Sequence, residues 1–272
     1  MKKNYYSIAV AAMLVSIVTF IGCEKNDDTT SSNATQNQTV DNSTSLNKDE
    51  PVIHWDYLNT DWENEGFPDC GGTQQSPVNI ITCHVAHDAT LTPLVTSYTN
   101  SSALNELDNG HTLQVVSTNP NSITVNGSTF NLLQLHFHEG SEHEINGVQF
   151  PMEIHFVNQN SATNQITVIG VMVKEGAANT EINKIFNHWP PAIDTQVATG
   201  LNVNLNKLLP ANKKYYTYAG SLTTHPCSEG LQWLVLKSFI TMSHAQIQQF
   251  VGHYDNNFRP VQALNGRVIR QQ

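Results

Sequence analysis

Two alternating stretches with histidines in phase constrain this chain more than anything else in it. In Gln134-Leu135-His136-Phe137-His138 a strand sends Leu135 and Phe137 to one face and Gln134, His136 and His138 to the other. Met152-Glu153-Ile154-His155-Phe156-Val157 repeats the pattern, with His155 opposite Ile154 and Phe156. Paired as antiparallel neighbours across a turn at Asn146-Gly147, the two strands bring three imidazoles to one point. Three neutral nitrogens leave Zn2+ one open tetrahedral position, the arrangement of a catalytic site rather than a structural one. Gln134 and Glu153 lie two positions before His136 and His155 on the same faces, placed to hydrogen-bond the ligands' second nitrogens. A lone His-x-His is more often an ordinary half-buried strand. The third in-phase histidine turns the balance toward a metal.

The rest of the chain reads as a sheet protein. Alternating runs at 112–116, 122–125, 134–138, 152–157 and 165–173 look like strands, with turn signals at Asn109-Gly110, Asn126-Gly127 and Asn146-Gly147. Helical patterns are few: 180–188, and 243–251 with Ser243 as N-cap and Gly252 near its end. The expected fold is mainly β with peripheral α, a single domain round a large twisted, mostly antiparallel central sheet. Hydrophobic residues at 39% suffice for one sizeable core and charged residues at 13% are sparse, without the sustained apolarity of a multi-span membrane protein. A formal net charge of −10 with no basic run argues against a nucleic-acid partner. Twelve histidines against four cysteines point the search for function at a metal.

The N-terminus reads as a bacterial export signal over 1–22: Lys2 and Lys3, then an apolar run from Ile8 to Ile21 too short for a spanning helix. Phe20-Ile21-Gly22-Cys23 resembles a lipobox, with Cys23 as the lipidated residue. Residues 23–50 are Asn, Thr, Ser, Gln and Asp with almost nothing to bury, a polar tether. The globular domain spans 51–272. The expected location is the cell envelope, on the periplasmic face or the cell surface, with membrane contact through the lipid alone.

The run QLHFHEGSEHEINGVQFPMEIHFVNQN over 134–160 resembles the signature stretch of the alpha-class carbonic anhydrases. QSPVNI at 75–80, LDNGHTLQV at 107–115, YYTYAGSLTT at 215–224 and NNFRPVQALNGR at 256–267 match the same family in the same order. The resemblance implies that His136, His138 and His155 hold Zn2+, and that the reaction is reversible hydration of carbon dioxide by attack of zinc-bound hydroxide. It implies that Thr223 orients the hydroxide and Glu142 orients Thr223. The pocket for apolar CO2 falls on Val157, Val168, Leu222, Leu231 and Trp233, with Thr224 beside it. His111 matches the proton shuttle, and Tyr57, Asn109 and Gln114 match positions that organise the connecting waters. His143 reads as structural support. Without the resemblance, Glu142 reads as a solvated loop acid and the apolar five as core.

Secreted members of the family join the positions of Cys70 and Cys227, and an exported chain sits where disulfides persist. Cys83 is then unpaired and reads as a small core filler, with Cys83–Cys227 as the competing pairing. Glu139 stands where the family usually has Trp, and Asp56 where it usually has Gly. The implied partners are CO2 and bicarbonate, with sulfonamide-type and anion inhibitors, and family habit in bacteria implies a homodimer. Two rival readings differ in class. A cupin dioxygenase fits His136-x-His138 with Glu142, but lacks the expected second motif. A surface lipoprotein that only binds a ligand predicts a lost metal ligand or a blocked pocket, and the sequence shows neither.

Overall fold

A computed structural model describes residues 56–57 and 61–272. The export signal, the tether with Cys23, and His54-Trp55 lie outside the described residues.

Among these, thirteen strands form one sheet. Eight carry the architecture: β1 (Ser102–Asp108), β2 (Leu113–Ser117), β3 (Ser128–Glu139), β4 (Met152–Gln159), β5 (Ile166–Glu175), β6 (Thr195–Val203), β7 (Tyr215–Ser221) and β8 (Glu229–Leu236). Their order across the sheet is β6-β1-β2-β3-β4-β5-β8-β7, continued by Arg270–Gln271 and Ala86–His87. Pairing is antiparallel from β6 to β5 and between β8 and β7, but β5 and β8 run parallel, so the sheet is mixed. Two α-helices accompany it, α1 (Thr180–Phe186) and α2 (His244–Val251). The side chain of Asn179 caps α1, and Ser243 with Gln246 forms a capping box on α2. The first helix ends two residues before the span read from sequence, the usual uncertainty of a terminus.

Strand alternation gives the sheet two different faces. Leu135, Phe137, Ile154, Phe156, Ile169, Val171 and Leu234 point into the main core, where Ile182, Ile185 and Phe186 of α1 and Ile247 and Phe250 of α2 cover them. Each such large side chain, fully buried, is worth roughly 1.5–3 kcal/mol. The opposite face carries the histidines and a second apolar cluster containing Val168, Tyr218, Leu231 and Trp233.

The return from β3 to β4 is less direct than the sequence reading has it. Asn146 (φ +54°) and Gly147 (φ +75°) do form the expected tight turn. It closes a separate short hairpin, 144–145 with 148–149, which pairs with Asn79–Ile80 in its own three-stranded sheet. This excursion carries Glu142 and His143 beneath the histidine face, where both are buried.

Cys70 and Cys227 form a disulfide across 157 residues. The reading of Cys83 as an unpaired core filler is overturned. It lies exposed on the single turn Thr82–His84, which buries no residue, and it is disulfide-bonded. Cys70→Ser with Cys227→Ser is expected to cost about 5 kcal/mol of stability, from the loop-closure entropy of so long a crosslink, read as a lower urea midpoint.

Glu106 is a carboxyl buried without compensation among the described residues. On β1 the side chains of Leu104, Glu106 and Asp108 face inward, and Glu106 lies between Val115 of β2 and Val197 of β6. Neither of its oxygens has a hydrogen-bond partner among the described residues, and burial raises its pKa from the ordinary 4.5 to about 8. Between those values the folded chain holds a proton that the unfolded chain has released, so this group's contribution to stability falls as pH rises. Glu106→Gln removes the effect. Its stability relative to the parent is expected to climb from pH 4.5 to about 8 and then level off, measured by urea unfolding across that range.

Candidate metal centre

The register of β3 against β4 sets His155 opposite His136 and Glu153 opposite His138. The three imidazole rings lie 5.0, 5.2 and 4.6 Å apart between centroids, and one nitrogen from each falls within 4.8 Å of the others. Each remaining nitrogen has its own acceptor. His136 Nδ1 donates to Gln134 Oε1 at 2.8 Å, His138 Nδ1 to the Asn257 carbonyl at 2.7 Å, and His155 Nε2 to Glu153 Oε1 at 3.0 Å. A carbonyl or carboxylate can only accept, so the tautomers are fixed. His136 Nε2, His138 Nε2 and His155 Nδ1 are left with their lone pairs converging. His138 Nε2 is buried with no hydrogen-bond partner. An orphaned buried acceptor is costly, and a cation among three such nitrogens relieves the cost. This donor set fits Zn2+.

Burial pushes His136 well below its ordinary value, with further lowering from the other two ligands. It brings His138 down to about 4 and lowers His155 as well. All three are neutral at pH 7, the state a metal ligand requires. Burial alone would raise Glu153, but His143 and His155 outweigh it and hold its carboxyl well below the usual range. Glu153 also takes His143 Nδ1 at 2.8 Å and the His143 backbone N–H at 2.8 Å. His143 Nε2 then meets the Tyr218 hydroxyl at 2.6 Å, which lies 2.9 Å from Ser76 Oγ. Only glycine at 170 leaves room for this carboxylate: a Cβ there would stand 2.6 Å from Glu153 Oε1.

Glu142 is buried, and its Oε1 accepts the Arg259 backbone N–H at 2.8 Å. Burial raises its pKa to about 7, opposed by His155, Thr223 and the Arg259 N–H. The Thr223 hydroxyl is close enough to stabilise the anion, although Oε2 makes no hydrogen bond of strict geometry. A bound cation would draw the carboxyl further toward its ionised form. Across the sheet, Val157, Val168 and Trp233 stand in one row, and Leu222 and Leu231 pack into the same cluster. The Trp233 ring lies 4.8 Å from that of His155. The residues read from sequence as an apolar pocket therefore form one patch beside the histidines, apart from the main core.

His111 sits half-exposed in the turn between β1 and β2, where Asn109 Oδ1 accepts its backbone N–H at 3.0 Å and that of Thr112 at 2.9 Å. Gly110 takes φ +81° there. Gln114 pairs across from His136, and the Tyr57 ring stands edge-on to His138 at 6.4 Å. Thr224 is half-buried at the start of the turn that leads into Cys227.

Several contributors are absent from the sequence reading. Asn257 supplies the carbonyl for His138, while its Nδ2 donates to the carbonyls of His111 and Phe137, both at 3.0 Å. Its Oδ1 accepts the Glu139 backbone N–H at 2.7 Å. Glu139, flagged only as a departure, accepts the Asn256 N–H at 2.8 Å and so pins this loop to β3. His225 stacks on Phe67 at 3.7 Å and meets Trp62 edge-on at 5.2 Å, next to Thr224. Asp56 is exposed, and its carbonyl accepts the Trp62 indole N–H at 3.1 Å.

Residues 58–272 match the family model described as eukaryotic-type carbonic anhydrase. The chain is 41% identical over 221 residues to a carbonic anhydrase of Klebsiella pneumoniae, covering 79% of this chain and 85% of that one. It is 40% identical over 227 residues to one of Neisseria gonorrhoeae, covering 79% and 87%. Among solved structures it resembles the alpha-carbonic anhydrase of Thermovibrio ammonificans in complex with the inhibitor sulfanilamide. There the TM-score is 0.76 at 36% identity, over 81% of this chain and all of that one.

Glu153→Gln keeps the volume and removes the charge that holds His155. It is expected to weaken zinc binding by about tenfold or more, measured by competition with a chromogenic chelator.

Proposed function

We propose, from the premise that this chain belongs to the alpha-carbonic anhydrase family, that it hydrates CO2 reversibly at a zinc ion held by His136, His138 and His155. The observation that carries this reading is the convergence of three neutral ring nitrogens whose partner nitrogens are all engaged. Zinc, when bound, supplies Lewis acidity that brings the pKa of water to about 7.

The remaining work belongs to side chains. Glu142, once ionised, can only accept, so the Thr223 hydroxyl donates to it and is left to accept a hydrogen bond from the nucleophilic oxygen. That fixes a lone pair toward the substrate and spares the reaction an orientational search. Val157, Val168, Leu222, Leu231 and Trp233 give the apolar substrate a dry wall, and Thr224 stands at its polar edge. His111 takes the released proton to solvent at its imidazole, through waters ordered by Tyr57, Asn109, Gln114 and Thr224. A histidine imidazole suits that exchange at neutral pH. Glu153 and Gln134 keep the ligand rings in the tautomer the metal needs.

Sulfonamide inhibition is supported by the sulfanilamide complex of the Thermovibrio relative. Export and lipid anchoring through Cys23 rest on the sequence of residues 1–50 alone.

Stopped-flow CO2 hydration on the zinc-loaded full chain, with and without a sulfonamide, tests the reading. His138→Ala is expected to abolish both activity and inhibitor binding. His111→Ala is expected to lower kcat by about tenfold or more in dilute buffer, leave kcat/KM in place, and recover with added imidazole. A folded, zinc-loaded chain with no hydration activity overturns the proposal and leaves a binding role.

A further inference from the structure

Asp108, the last residue of β1, lies immediately before the turn that carries His111 and is almost fully buried at 7% exposure. Its carboxylate gathers three donors from three parts of the chain. Oδ1 accepts the Gly110 backbone N–H at 3.1 Å and also the Tyr254 hydroxyl. Oδ2 accepts the Trp189 indole N–H at 2.8 Å. Its backbone carbonyl accepts the Asp194 N–H at 2.7 Å. Trp189 follows α1 and is stacked by His253 at 3.8 Å; Tyr254 follows α2 and precedes the Asn257 loop.

We propose that Asp108 is a positioning residue for proton export, fixing the turn that sets where the His111 imidazole sits. The proposal rests on the reading of His111 as the proton carrier. His111 itself is held by bonds local to the site, among them its N–H to Asn109 Oδ1 and Asn257 Nδ2 to its carbonyl. Asp108 ties the intervening Gly110 to both helix-following segments behind the sheet, through Trp189 and Tyr254, and the Tyr254 hydroxyl also meets the Gly110 backbone. Gly110, at φ +81°, is the joint about which the turn would otherwise swing.

Only a carboxylate meets this geometry. Three side-chain or backbone donors need acceptors on both oxygens, and an amide offers one acceptor oxygen and a donor nitrogen. Asn at 108 would turn an N–H toward either the indole N–H or the Tyr254 hydroxyl and Gly110. Charge-assisted bonds of this kind are about twice as strong as neutral ones. The burial of Tyr254, reinforced by Asp108, raises its hydroxyl above the ordinary range, so it remains a donor.

The test separates export of the proton from attack on CO2. Asp108→Asn is compared with His111→Ala and the parent chain, all zinc-loaded, by stopped-flow CO2 hydration in dilute buffer. The expected result is a kcat lowered about tenfold by displacement of the imidazole. Zinc affinity and kcat/KM should stay within about twofold, and added imidazole should restore kcat. Tyr254→Phe removes the hydroxyl with its bonds to Asp108 and to the Gly110 backbone, and is expected to move kcat in the same direction by less; it decides the matter should Asp108→Asn not fold. Parent-like kcat in these variants alongside a depressed, imidazole-rescued His111→Ala overturns the role of Asp108. So does an equal loss of kcat and kcat/KM without rescue, which would place its effect on the metal centre or the fold. A parent-like His111→Ala overturns the shuttle reading itself, and this proposal with it.

Discussion

The pairing of β3 with β4, with His155 opposite His136, is the constraint on which the site depends. Strand side chains alternate with a period of two, so a slip of one residue would turn a strand's whole set of side chains over. The histidines would enter the core, and Leu135, Phe137, Ile154 and Phe156 would face water. The burial of those four, together with α1 and α2 against them, therefore does two things at once. It stabilises the fold and it aims the imidazoles. No separate device is needed to hold three ligands in one place, because the apolar face opposite them already specifies the register.

Three buried glutamates show how the surroundings then decide charge. Glu153 receives two histidine side chains and a backbone N–H, and these overcome the cost of burial to keep it ionised. Glu142 is favoured as an anion by His155, then Thr223 and the Arg259 backbone N–H, but burial outweighs them and brings its pKa to about 7, within reach of a cation's influence. Glu106 receives nothing among the described residues and is held protonated at pH 7. The three carboxyls are chemically the same, so the difference lies in how many donors each part of the fold can direct at them. Buried polar groups are costly unless satisfied, and the spread from Glu153 to Glu106 follows that rule.

The ligand histidines, their partners Gln134 and Glu153, and the two-faced sheet were legible because each follows from alternation within a single strand. The roles of Glu142, Thr223 and His111 came only through resemblance, since a solvated loop acid and a turn histidine look the same in isolation. Asn257 was quoted within a matching segment but given no role. Its contribution to His138 is a backbone carbonyl, which no side-chain pattern encodes, delivered from 119 residues away. The detour between β3 and β4 was missed for a related reason: Asn146-Gly147 is a sound turn signal, but a turn signal does not say which strands it joins. Cys83 was misread because a cysteine's burial depends on the segment around it, and Thr82–His84 has no apolar face to bury.

The site also divides its tasks between kinds of structure. The converging histidines and the apolar patch beside them, apart from Leu222 just after β7, sit on strands in the middle of the sheet, where neighbours on both sides fix the side chains. The groups proposed to handle protons, His111 on its turn and Thr223 before the disulfide-linked Cys227, sit on connections. A connection has fewer backbone partners, so its precision has to come from elsewhere. Here it comes from buried anchors: Asp108 and Asn257 for the first, the Cys70–Cys227 bond and the Glu142 carboxyl for the second. Each anchor ties its loop to a segment distant in sequence, so the proposed proton handling depends on packing far from the histidine cluster, whose geometry is set by the sheet.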